Sequence, residues 1–167
     1  IDKPEIAELL IRAGADPNAR QGRFVLGCGS GEEDTPSQNT PLHFAAARGN
    51  PQTIKVLLAG GADLEARNCY GYTPLRSTVD PPLYTGIDEA SQLKNVEALL
   101  AAGATIISRD DKGQTVLDAA ISSLESRQLR KDSEAEQKND LERLQALVDL
   151  LKRHGAQPGE PQPKKDR

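Results

Sequence analysis

Two short strings recur along these 167 residues at fixed offsets, and together they restrict the fold more than any other feature. Thr40-Pro41-Leu42 returns as Thr73-Pro74-Leu75, 33 positions on, and in weaker form as Thr115-Val116-Leu117. Gly61-Ala62-Asp63 returns as Gly14-Ala15-Asp16, Gly103-Ala104-Thr105 and Gly155-Ala156-Gln157. An apolar pair precedes each glycine: Leu9-Leu10, Leu57-Leu58, Leu99-Leu100 and Leu150-Leu151. Such a period marks an array of units, each leaving a face that only its neighbour can cover. Within a unit, Thr followed by Pro reads as a helix start. Thr can cap, and Pro at the first helical position lacks an N–H that would have no partner there. The small run Ala45-Ala46-Ala47 lets a neighbouring helix come close, and Gly49 stops the first helix. Ile54, Leu57 and Leu58 then form the buried stripe of a second helix, which Gly61 ends in the left-handed conformation.

The run Thr40-Pro41-Leu42-His43-Phe44-Ala45-Ala46-Ala47-Arg48-Gly49, with Ile54, Val56-Leu57-Leu58 and Gly61-Ala62-Asp63 after it, resembles the ankyrin repeat, and the resemblance covers residues 1–156. It implies an all-α fold: a solenoid of stacked helix-turn-helix units joined by short β-hairpins, three full units preceded by a half unit. Residues 1–20 supply only the half unit's second helix, Pro4 to Ala13. The expected domain is residues 1–157. Residues 158–167, with three prolines and Lys164-Lys165, read as a disordered tail. The chain has no Met, even at position 1, which reads as a fragment or a processed product.

Departures from the period locate three inserts. Gly14 to Thr40 spans 26 positions, where Gly61 to Thr73 and Gly103 to Thr115 span 12, placing extra residues at about 21–38. Thr40 to Gly61 spans 21 positions, Thr73 to Gly103 spans 30 and Thr115 to Gly155 spans 40. The excess falls at about 79–91 and 122–141. Pro81-Pro82 and Gly86 in the second insert predict an early stop to the first helix of that unit. The third is charged and contains neither Gly nor Pro. It predicts a longer helical hairpin, with Leu117, Ile121 and Leu124 facing Leu141, Leu144, Val148 and Leu151; the competing reading is a solvated charged loop.

Composition narrows the function. With 21 basic against 25 acidic residues and a pI near 5.3, no phosphate-tracking surface is expected, so nucleic acid is disfavoured as partner. Aromatic content is 3%, which leaves little for stacking on single strands. No apolar run reaches the roughly 18 residues of a membrane span. Cys28, Cys69, His43 and His154 lack any familiar zinc spacing. One disulfide is compatible with the two cysteines, and the compartment stays open.

Candidate chemistry is thin. Phe24-Val25-Leu26-Gly27-Cys28-Gly29-Ser30-Gly31 resembles the glycine-rich motif of S-adenosylmethionine-dependent methyltransferases, but Val25 stands where an acidic residue is usual and no Rossmann pattern follows. Cys28 and His43 have no third group to make them nucleophile and base. The resemblance gives His43 a structural task instead, hydrogen-bonding a neighbouring loop; Arg76 and Asp118 hold its slot in the next two units. His154, beside Lys152 and Arg153, complements a helix C-terminus. No catalytic residue, metal ligand or cofactor is expected. The expected role is binding another protein, as a monomer, with neither nucleic acid nor membrane involved. Three of five aromatics (Tyr70, Tyr72 and Tyr84) fall in one unit, and Tyr is a favoured interface anchor. By the resemblance, hairpin tips and the inner faces of first helices form a concave contact surface. That points to Arg48, Tyr70, Tyr72 and Tyr84, and to Asp111, Lys112 and Gln114 at the last tip. The alternatives are a regulatory or capping segment of a longer polypeptide and, remotely, an S-adenosylmethionine-dependent enzyme.

Overall fold

The computed structural model describes residues 3–22, 37–48, 50–79, 89–128 and 134–159. Among them run seven helices: α1 (Pro4–Arg12), α2 (Pro41–Arg48), α3 (Pro51–Ala59), α4 (Pro74–Ser77), α5 (Glu89–Ala101), α6 (Val116–Gln128) and α7 (Glu134–Arg153). No strand occurs among the described residues. The all-α reading holds, and the described connecting hairpins are turns closed by a few backbone bonds rather than β-ladders. The chain forms two compact units, Ile1–Thr105 and Ile106–Arg167.

Local chemistry sets the helix boundaries. Proline opens α1, α2, α3 and α4, where its missing N–H costs nothing. The Asn50 side chain caps α3 by accepting from the Gln52 and Thr53 amides, and Thr73 Oγ1 caps α4 by accepting from the Arg76 amide. At the other end, all four Gly-Ala strings close alike. Gly14, Gly61, Gly103 and Gly155 have φ between 86° and 93°. The alanine N–H after each then donates back to the carbonyls of Leu10, Leu57, Leu99 and Leu151, at 2.9–3.0 Å. These bonds put the four leucines in one register.

In the first unit α1 lies on α3 and α3 on α5, while α2 packs against α3, α4 and α5. Leu42, Ala45, Ala46, Ile54, Leu57, Leu75, Val96 and Leu99 form the core. Ile11 carries α1 onto the end of α3, where a Cβ on Gly60 would lie 2.7 Å from Ile11 Cδ1. The short α4 is held by side chains. Thr78 Oγ1 donates to the Leu75 carbonyl, Ser77 Oγ to that of Thr73, and Gln92 of α5 to that of Thr78. One turn along α5, fully buried Asn95 donates to the carbonyls of Ala45 and Ala46, at 3.1 and 2.9 Å. The first insert is closed at its base. The Gln21 N–H donates to the Asn39 carbonyl and that of Gln38 to the Gln21 carbonyl.

The second unit is α6 packed on α7, with Val116, Leu117, Ala120, Leu144, Leu147, Val148 and Leu151 buried between them. Both helices run through parts of the third insert, α6 for 13 residues and α7 for 20. Leu124 and Leu141 are half-buried. Past α7, the Gly159 N–H bonds to Asp118.

Candidate protein-binding face

Each of the two described hairpin tips is built on one polar side chain. At the first, Asn68 Oδ1 accepts from the Tyr70 and Tyr72 amides, and the Asn68 N–H donates to the Tyr72 carbonyl at 3.1 Å. Gly71 takes φ 71°, as this tight turn requires. In the second unit Asp110 Oδ1 accepts from the Lys112 and Gln114 amides in the same way. Asn68 Nδ2 also reaches Asn39 Oδ1, tying one tip to the preceding connection.

His43 sits beneath the first tip as the resemblance implies. Its Nδ1 accepts from the Thr40 amide and hydroxyl, which leaves Nε2–H to donate to the Tyr72 carbonyl at 2.8 Å. Burial pushes its pKa below the usual imidazole value, and the bond to Tyr72 only partly offsets this. The neutral ring is therefore the working form, and it is occupied by structure. Its imagined partner Cys28 lies outside the described residues, as does the glycine-rich string 24–31. Cys69 is disulfide-bonded.

Tyr70 and Tyr72 are brought together, with ring centroids 5.4 Å apart and planes tilted by 35°. The Arg76 guanidinium lies 4.2 Å from the Tyr72 ring centroid, and Arg76 is buried. Tyr70 is 41% exposed, whereas Tyr72 is half-buried. Arg48 is exposed at the end of α2, with its guanidinium 5.9 Å from the Phe44 ring centroid. In the other unit Asp111 and Lys112 are exposed and Gln114 half-buried. Tyr84 lies outside the described residues. Arg76 is the member that sequence reasoning missed: its slot after Thr-Pro-Leu marks a departure from the repeat pattern, and the Tyr72 ring it covers stands four positions before it. Among the described residues no cluster of His, Cys, Asp and Glu is suited to a metal ion, and no helix is long and apolar enough to cross a membrane.

Comparison with known proteins agrees with the repeat fold. Residues 2–79 match the family model described as ankyrin repeats, three copies. Over 82 residues, 49% of this chain, it is 43% identical to a transient receptor potential cation channel subfamily A member 1 homolog from Caenorhabditis elegans. Rabankyrin-5 from Homo sapiens is 39% identical over 70 residues, and ankyrin repeat and SOCS box protein 6 from Pongo abelii 29% identical over 125, or 75% of this chain. The aligned parts span only 6%, 6% and 27% of those relatives' own lengths.

Proposed function

Because the chain is an ankyrin repeat protein, with its repeats matched over residues 2–79, we propose that it is a non-catalytic protein-binding module whose contact face is made by hairpin tips and first helices. The observation that carries this reading is the Tyr70–Tyr72 pair, two rings held on a turn by Asn68 and backed by Arg76. A preformed aromatic anchor loses little side-chain entropy on docking, so a modest contact area can bind specifically. Arg48 extends the same face onto α2, and Asp111, Lys112 and Gln114 are the corresponding tip residues in the second unit. The test is affinity capture with the intact chain. Tyr70→Ala should weaken binding of a captured partner by 2 kcal/mol or more, on the order of a hot-spot effect, and Arg48→Ala by less. Equal binding by Tyr70→Ala would discard the face.

A second reading is a regulatory or capping segment of a longer polypeptide, and α1 favours it. Leu10 shares the register of Leu57 and Leu99, which are 5% and 0% exposed, yet is itself 54% exposed, with Leu9 beside it. A further helix packed there would bury both. Expression with any upstream coding sequence should then raise the melting temperature; unchanged melting would remove this reading.

A further inference from the structure

The slot three residues after the capping threonine is wired in opposite senses in the two units. His43 accepts the Thr40 N–H and O–H on one nitrogen and donates from the other to the carbonyl of the following hairpin, at Tyr72. Asp118 repeats the first half, with Oδ2 accepting the Thr115 amide and hydroxyl, both at 2.8 Å. The second half is reversed, since both carboxylate oxygens accept the Gly159 N–H, at 3.0 and 2.9 Å. Thr115 Oγ1 also lies 3.4 Å from the Gln157 carbonyl. The fit is tight. A Cβ at residue 159 would stand 2.7 Å from Asp118 Oδ2, 2.7 Å from Arg109 Nη1 and 3.3 Å from the Gly113 carbonyl. Arg109 can swing away, but the carboxylate is pinned by Thr115. Burial works to raise the Asp118 pKa, yet the bonds from Thr115 and Gly159 and the nearby Arg109 charge outweigh it, so the group stays ionised.

We infer that Asp118 is the residue that ends the stack: it captures the segment after α7 through the Gly159 amide, and it rejects the hairpin of a further unit. A further hairpin would present a carbonyl, as Tyr72 does to His43, and an ionised carboxylate has no proton to give it. Two acceptors would face each other in a half-buried slot, each losing water without gaining a partner. The chemistry selected at this end is a main-chain N–H on a residue without a side chain, which Gln157-Pro158-Gly159 supplies.

Two measurements on the full chain test capture and rejection separately. In amide exchange followed by NMR, the Gly159 N–H should exchange at least tenfold more slowly than a solvated glycine. Asp118→Ala should abolish that protection, and Gly159→Ala should abolish it at residue 159 while leaving the α6 and α7 amides unchanged. Gly159→Ala guards against the case where Asp118→Ala fails to fold. An unprotected Gly159 in the unmodified chain would overturn capture. For rejection, residues 157–167 are replaced after Ala156 by a copy of residues 63–79 carrying Ser in place of Cys69. Asp118→His should lower the melting temperature of the natural chain but raise that of the graft. The same sign of shift in both would overturn the inference.

Discussion

The two tip tyrosines differ in what they hold. Tyr70 projects from the turn, so Tyr70→Ala should change folding stability by under about 0.5 kcal/mol, as surface substitutions do. Tyr72 lies under Arg76 and offers its carbonyl to His43. Its truncation removes a half-buried ring and a desolvated cation–π contact, and should cost roughly 2–3 kcal/mol in a denaturant melt. The two tip residues should therefore differ in what they contribute to stability. Equal midpoints for the two variants would show that Arg76 does not depend on the ring. His43 gives a pH signature. Its folded pKa is depressed, so below about pH 6.5 the unfolded state takes up a proton that the folded state does not. Stability should fall as pH drops from about 6.5 toward that lower value, by at most about 1.4 kcal/mol per pH unit for one proton. His43→Asn should flatten the slope between pH 7 and pH 5. Parallel profiles for the two proteins would exclude His43 as the titrating group.

Between elements, the outer loops are joined by a side-chain ladder that the repeat register makes visible. Four residues after Gly14, Asn18 Oδ1 accepts the Asp63 N–H at 2.7 Å. Four after Gly61, Glu65 Oε1 accepts the Thr105 N–H at 2.6 Å. Four after Gly103 stands Ile107, 63% exposed and without a side-chain acceptor. The residue in register with Asp63 and Thr105 is Gln157, so Ile107→Asn should supply the absent rung. We expect a gain of about 0.5–1 kcal/mol, the net worth of one hydrogen bond near the surface, read as a higher melting temperature; no rise would mean the loops of the second unit lack this geometry. Asn95 is the opposite case, a buried amide whose two bonds end α2. Asn95→Leu would leave the Ala45 and Ala46 carbonyls without it and should destabilise by about 2 kcal/mol or more. The shortness of α4 was legible from Pro81-Pro82. The α5 side chain that bonds to its end, Gln92, was not, since it comes from a different segment.

Over the whole chain, the two units carry separate optical signals. All three tyrosines fall within Ile1–Thr105, while the third insert falls in Ile106–Arg167. Deleting residues 123–141 restores the regular spacing but removes parts of α6 and α7, with half-buried Leu124 and Leu141. Far-UV circular dichroism should lose amplitude and melt earlier, while the near-UV tyrosine signal keeps its shape. Unchanged far-UV melting would favour the solvated-loop reading of the insert. The sequence by itself determined the repeat register, the capped helix starts and the glycine-ended second helices. Those signals act between residues one to four positions apart, so they survive in the one-dimensional pattern. Only the tertiary structure decided which groups meet His43 and Asp118 in the slot after the capping threonine. The group that meets His43 lies 29 residues away and the group that meets Asp118 lies 41 away. The residue in the slot sets which group it can accept, but which distant segment brings that group depends on how the chain is laid down.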